Sequence, residues 1–249
     1  MKISIITVSY NSSRTIGDTL RSVAVQTYPH IEHIIVDGGS EDGTMHVVES
    51  FPHVAKKVSE KDNGIYDAMN KGIAMATGDI IGILNADDMY TDPGVLQKVV
   101  DVFLHPIVDA VYADLVFVDP INTDKIVRRW ISRQHTETDF YYGWMPPHPT
   151  FFVRKSVYEK FGLFDTRLRS AADYELILRF LLKHRISSRH IPHLIIKMRN
   201  GGKSTASLKN RIIANHEDRK AWKINGLKPH FFTLILKPLR KLDQFFFNG

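Results

Sequence analysis

Apolar and polar positions change places in regular blocks along the first hundred residues. Ile3, Ile5, Ile6 and Val8 form one short run and Ile31, Ile34, Ile35 and Val36 another. Runs of this length, rich in β-branched residues, predict strands buried on both faces. Between them Ile16, Leu20, Val23 and Ala24 recur at i, i+4, i+7 and i+8, so a helix is predicted from a Ser12 or Ser13 cap to about Val25. The same reading predicts a helix over residues 44–51, a weaker strand over 54–59 and a helix over 64–76. A buried strand follows over 78–88, built on Ile80, Ile81, Ile83 and Leu84, and then a helix from Asp92-Pro93 to about Leu104. Strands alternating with helices imply a parallel sheet with right-handed crossovers.

The rhythm changes after residue 105. Residues 108–118 and 126–131 read as strands, a hairpin or an edge pair, and residues 133–147 show weak periodicity. Met145-Pro146-Pro147-His148-Pro149 excludes a helix, because three prolines remove donors and fix φ. A strand over 151–153 and helices over 155–161, 174–183 and 207–222 follow. Leu176, Ile177, Phe180 and Leu181 form a core stripe on the second of these helices. Residues 199–204 read as a flexible basic loop. The tail over 228–247 mixes bulky apolar residues with Lys237, Arg240 and Lys241. Two readings of it stay open: a segment lying on an anionic membrane, or one packing on the body or on a second subunit.

A chain of 249 residues is long enough for one large α/β domain with a substantial core. It has no cysteine, which removes disulfides, thiol catalysis and zinc–thiolate sites and fits a cytoplasmic protein. The net charge of +6 hides a division. Residues 1–124 hold 8 Lys and Arg against 18 Asp and Glu, whereas residues 125–249 hold 25 against 9. An acidic half and a basic half suggest metal binding in the first and anionic partners in the second. No stretch approaches the ~20 apolar residues of a membrane span, and the opening run is too short for a signal-peptide core. No module that binds nucleic acid is present.

Candidate chemistry gathers at strand ends. Gly38-Gly39 permits a tight turn, yet it is not Gly-x-Gly-x-x-Gly and there is no phosphate-binding lysine loop, so a dehydrogenase or P-loop enzyme is not expected. Asn85, Asp87 and Asp88 lie together at the end of the 78–88 run. In open α/β sheets that is where ligands bind. Adjacent carboxylates repel unless a cation separates them, and Mg²⁺ or Mn²⁺ takes one or two carboxylates with phosphate and water. The alternative is that Asp87-Asp88 caps the next helix.

Five segments taken in order resemble glycosyltransferase family 2, the inverting nucleotide-sugar transferases of GT-A fold. They are Thr7-Val8-Ser9-Tyr10-Asn11, Val36-Asp37-Gly38-Gly39-Ser40-Glu41-Asp42-Gly43-Thr44, the stretch from Asp62-Asn63-Gly64-Ile65-Tyr66-Asp67 to Gly72, Asn85-Ala86-Asp87-Asp88, and Ala172-Asp173-Tyr174-Glu175-Leu176. The resemblance implies an α/β GT-A domain over residues 1–205. Residues 1–104 would be its Rossmann-like nucleotide-sugar half and 105–205 a mixed acceptor-side half, with a basic helical extension over 206–249.

The resemblance also implies roles. Thr7, Val8 and Tyr10 line the base pocket, with Tyr10 stacking on the base. Asp37 accepts the base imino N–H, or else caps its turn. Asp67 contacts base or ribose, although Met69 stands where relatives carry an arginine. Asn85 replaces an acid and contacts ribose, while Asp87 and Asp88 bind the metal–diphosphate. Asp173 is the general base, favoured as a carboxylate by its helix N-terminus and by Arg167 and Arg169, or else only an N-cap. His148 touches sugar or acceptor, or is structural. Trp144 and Tyr142 stack on sugar, or belong to the core. Lys203 and Ser204 close over the diphosphate.

The implied activity is metal-dependent transfer of a sugar, from a UDP-sugar in preference, to a hydroxyl of a glycan or polyprenyl-diphosphate-linked acceptor in bacterial surface polysaccharide synthesis. The enzyme would work in the cytoplasm, peripheral on the inner face of the membrane. Rival readings are a nucleotidylyltransferase, for which Asn11-Ser12-Ser13-Arg14 is a poor loop, and a non-catalytic nucleotide- or carbohydrate-binding module.

Overall fold

The β-branched runs of the first half become neighbouring parallel strands. In the computed structural model, which describes residues 1–201 and 208–240, β1 (Ile3–Ser9), β2 (Ile31–Asp37), β3 (Val54–Ser59) and β4 (Ile80–Ile83) lie side by side in the order β3-β2-β1-β4. Helices α1 (Ile16–Ala24), α2 (Thr44–Glu49) and α3 (Ile65–Met75) make the crossovers. Side chains alternate across the sheet. Ile3 and Ile5 enter one core layer, shared with Val95, Leu96 and Val99, while Ile6 and Val8 enter the other, shared with Tyr66, Met69 and Ile73. Burial on both faces is what a continuous apolar run encodes.

The predicted strand over 78–88 proves to be two. β4 ends at Ile83, and the chain turns through residues 84–87. Asp88 then opens β5 (Asp88–Tyr90), which runs antiparallel to β9 (Ser188–Arg199) with Asp88 opposite Met198. Asp87 and Asp88 do not cap the following helix. The N-cap of α4 (Val95–Phe103) is Gly94, and Asp92 accepts the Gly94 N–H at 2.8 Å in the turn that leads into the helix.

β6 (Ala110–Val118) and β7 (Ile126–Trp130) form the predicted antiparallel pair. α5 (Glu137–Tyr141) is a short helix inside the weakly periodic stretch. A 3₁₀ turn over His148–Thr150, β8 (Phe152–Arg154), α6 (Lys155–Phe161) and α7 (Ala172–Ile177) follow. α7 continues as a π-helical segment, Leu178–Lys183, so the helix predicted over 174–183 is present but widened. β8 joins the two halves, antiparallel to both β4 and β6.

The twelve-residue β9 (Ser188–Arg199), parallel to β6, was not anticipated. Its Pro192 falls where the β6–β9 register slips between Ala113 and Asp114. A bulge is where a strand tolerates a residue without an N–H.

The extension packs back on the body. In α8 (Leu208–Ile224), Trp222 is fully buried and donates from Nε1 to the Tyr174 hydroxyl at 2.9 Å, while Glu217 accepts from the Ser170 N–H at 2.7 Å. In α9 (Thr233–Leu239), Lys237 Nζ pairs with Asp218 at 2.6 Å, and Arg240 Nε just beyond the helix donates to the Tyr142 carbonyl at 2.8 Å. Of the two readings of the tail, residues 233–240 therefore show packing on the body. Phe231, Ile235 and Leu239 stay exposed on it. Among the described residues no helix is long and apolar enough to cross a membrane.

Candidate functional site

The parallel register places Ser9, Asp37 and Ser59 level with one another across β1, β2 and β3. The result is a fully buried carboxylate with five donors. Asp37 accepts from the hydroxyls of Ser9 (2.8 Å), Ser40 (2.5 Å) and Ser59 (2.7 Å) and from the N–H groups of Gly39 (3.2 Å) and Ser40 (2.8 Å). Burial raises its pKa, but the hydrogen bonds of Ser40, Ser59 and Ser9 outweigh burial and hold the carboxyl below the usual range. A carboxylate has about four lone-pair positions, so this one is spent on the turn and on the two flanking strands.

Tyr10 follows β1 and is 55% exposed, beside Asn11 at φ 50°. Thr7 and Val8 point elsewhere. Thr7 is fully buried, its hydroxyl 3.0 Å from His33 Nε2, and Val8 is core. At the third motif, Tyr66 and Met69 face the core while Asp67 remains half-buried. Asp67 accepts from the Asn63 N–H at 3.0 Å and stands 3.8 Å from Lys71 Nζ.

Asn85, Asp87 and Asp88 stand in the opposite condition to Asp37. Asn85 Nδ2 donates to Asp88 Oδ2 at 3.0 Å, but Asp88 Oδ1 and Asn85 Oδ1 are buried without a hydrogen-bond partner among the described residues. Burial and then the adjacent Asp87 push the Asp88 carboxyl well above the usual range, and burial also raises Asp87. Arg199 partly offsets both. It donates from Nη1 to the Asp87 carbonyl at 3.0 Å, pairs through Nη2 with Asp18, and reaches the Pro120 carbonyl through Nε.

Hard oxygen donors short of hydrogen bonds and biased against charge fit a divalent cation. No three His, Cys, Asp or Glu side chains form a metal cage among the described residues. Two carboxylates suit an ion that takes its other ligands from phosphate and water.

Asp173 opens α7 half-buried, and the Tyr66 hydroxyl donates to its Oδ1 at 3.1 Å across 107 positions of sequence. Phe164 stacks on Tyr66 at 5.6 Å and meets His148 edge-on at 5.8 Å. Burial pushes His148 down and the Asp173 charge pulls it up, with burial prevailing. The structure thus brings His148, Tyr66 and Asp173 together. Arg167 forks onto Asp165 at 2.7 and 2.8 Å, and Glu217 binds the Arg169 N–H. The Arg167 guanidinium is thus engaged by Asp165, and the hydrogen bond that Asp173 receives comes from Tyr66.

Trp144 is 7% exposed, stacked on His135 at 5.1 Å and set edge-on to Phe140, so its faces serve the core. Tyr142 is exposed and stacks on Phe232. Lys203 and Ser204 lie outside the described residues. Tyr66, Arg199 and the three serines around Asp37 were not singled out from sequence. For Tyr66 a signal existed, since it sits inside a quoted motif.

Residues 4–162 match the profile of Glycosyl transferase family 2. The chain belongs to glycosyltransferase family 2. Uncharacterized glycosyltransferase Rv1514c of Mycobacterium tuberculosis is 31% identical over 189 residues, covering 72% of this chain and 69% of the relative. A PGL/p-HBAD biosynthesis glycosyltransferase of Mycobacterium bovis is 28% identical over 211 residues, covering 79% of this chain and 76% of the relative.

Among solved structures, S. aureus TarS 1–349 in complex with UDP-GlcNAc has a TM-score of 0.72 at 17% identity, covering 90% of this chain and 65% of that one. Mannosyltransferase PcManGT from Pyrobaculum calidifontis, in complex with GDP-Man and Mn²⁺, has a TM-score of 0.67 at 21% identity, covering 94% and 68%. The structural likeness shows the GT-A fold expected of this family 2 glycosyltransferase. The chain spans just under two thirds of the TarS fragment's length.

Proposed function

We propose that this family 2 glycosyltransferase moves a sugar from a UDP-sugar to a hydroxyl of a glycan or polyprenyl-diphosphate-linked acceptor, inverting the anomeric centre. Residues 1–104 bind the donor, residues 105–205 face the acceptor, and within the 206–249 extension residues 208–240 brace the second half. The observation that carries this reading is the starved pair Asp87-Asp88 at the strand-end crevice. With Asn85 beside them, these residues hold Mg²⁺ or Mn²⁺ together with the donor diphosphate. When bound, the cation supplies charge neutralisation for the leaving nucleoside diphosphate. The nucleotide sugars held by TarS and PcManGT, and the Mn²⁺ held by PcManGT, support that assignment.

Asp173 takes the proton of the acceptor hydroxyl. Tyr66 occupies Oδ1 and orients the carboxylate, leaving Oδ2 to reach the hydroxyl within about 2.6–3.2 Å. Attack from the face opposite the leaving group gives inversion. His148, whose pKa burial lowers, stands beside Phe164 in the same cluster and meets sugar or acceptor. The excess of Lys and Arg beyond residue 124, with exposed Phe231, Ile235 and Leu239 near Arg240, favours peripheral contact with an anionic membrane. Bacterial surface polysaccharide synthesis is the setting this fits.

The test is a transfer assay with a panel of nucleotide sugars and glycan acceptors in Mn²⁺, reading the released diphosphate and the anomeric configuration by NMR. Asp173→Asn should lower kcat by about 10²–10⁴ and leave donor affinity within about twofold. Retained configuration, or unchanged turnover in Asp173→Asn, rejects the mechanism.

A further inference from the structure

Asp37 is spent on its turn, which leaves open what reads the donor's base. Gly38, the next residue, answers from the space it leaves. Its φ is not in the left-handed region, so conformation does not require glycine there; crowding does. A Cβ on Gly38 would stand 2.5 Å from Asp62 Oδ2 and 3.4 Å from Tyr10 Cδ2. The half-buried Asp62 carboxylate thus fills the volume a side chain at 38 would take, against the ring of Tyr10. Asp62 Oδ1 accepts from the Gly64 N–H at 2.8 Å, while Oδ2 has no hydrogen-bond partner among the described residues. Asp62 follows β3 as Asp37 closes β2 and Tyr10 follows β1. An aromatic ring and a carboxylate oxygen with spare capacity therefore converge at the ends of three parallel strands.

We propose that Asp62, and not Asp37, supplies the carboxylate that accepts the imino N–H of the donor's base. This rests on the reading of the site as a nucleotide-sugar site and adds the base-selecting residue to it. A carboxylate only accepts. It therefore favours uracil and guanine, whose ring N–H donates, over cytosine and adenine, whose matching ring nitrogen is an acceptor. A site built to pair with a donor N–H rejects a base that lacks it, because the buried acceptor is then left unpaired.

The test is calorimetric titration of UDP, GDP, CDP and ADP in Mn²⁺ on wild type, Asp62→Asn, Gly38→Ala and Asp37→Asn, each checked by thermal unfolding. Wild type should bind UDP or GDP at least tenfold more tightly than CDP and ADP. Asp62→Asn should erase most of that ratio with little change in Tm. Gly38→Ala, whose Cβ displaces the flexible Asp62 carboxylate, should weaken the preferred diphosphate in the same direction. Asp37→Asn should lower Tm and keep the ranking.

A ranking unchanged in Asp62→Asn, or one lost in Asp37→Asn alone, overturns the assignment to Asp62 and leaves the donor site standing. Equal binding of all four diphosphates by wild type does the same. Binding of none of them by wild type overturns both the assignment and the donor site.

Discussion

Two buried carboxylates at the ends of strands in one sheet have opposite fates. Asp37, closing β2, has five donors and a pKa held low. Among the described residues Asp88, opening β5, has one side-chain donor, an orphaned oxygen and a pKa pushed high. Both are fully shielded from water, so burial alone does not separate them. What separates them is whether the fold supplies the hydrogen bonds. A carboxylate the fold has saturated shapes the backbone around it. One left short carries an electrostatic cost that is recovered when a cation or ligand arrives. On the proposed reading the first is a structural group and the second a binding group.

The contrast is sharpest in Asp88→Asn. Removing a charge that the folded state disfavours should leave thermal stability unchanged or slightly raised, while sugar transfer in Mn²⁺ falls by about 10²-fold or more. A stability loss matching the loss of activity would erase the distinction. Asp37→Ala should do the reverse, leaving buried donors unpaired at a cost of about 3 kcal/mol. At roughly 2–4 °C per kcal/mol for a chain of this size, Tm should fall by roughly 6–12 °C, with turnover per folded molecule largely kept.

Acid should move the two in opposite senses. The folded pKa of Asp37 lies below its unfolded value, so its stabilisation is full at neutral pH and is lost as pH falls below about 4. The stability gap between wild type and Asp37→Asn should close over that range. The folded pKa of Asp88 lies above its unfolded value, so its cost is absent below about pH 4 and grows as pH rises towards the folded pKa. Asp88→Asn should gain on wild type over that rise, and Mn²⁺ with donor should cancel the gain. The smallest effect is expected from Ser59→Ala, about 1 kcal/mol in chemical denaturation, since four donors to Asp37 remain.

Much of the first half was legible in the sequence, because strands buried on both faces are written as uninterrupted β-branched runs. The Asp87-Asp88 pair was legible as adjacent acids after such a run. Its surroundings were not, since the chain turns at residues 84–87 and the strand that receives Asp88, β9, carries histidines and Pro192 where an apolar run was sought. The saturation of Asp37 was hidden for another reason. Ser9 and Ser59 reach it only through the register of β1, β2 and β3, which a linear reading does not contain. Tyr66 and Asp173 meet across more than a hundred residues, so periodicity offered no link between them. Asp173 itself came from a motif, whereas the arginines assigned to it came from proximity in sequence, and the Arg167 guanidinium proved to bind Asp165.

The most direct measurement is a Mn²⁺ titration followed by electron paramagnetic resonance, with and without UDP and GDP, on wild type and Asp88→Asn. The expected result is that wild type takes up one Mn²⁺ only when a preferred diphosphate is present, and that Asp88→Asn takes up none. Equal uptake by the two proteins, or sugar transfer by wild type that survives complete chelation of metal, would contradict the assignment of the starved pair as the cation site.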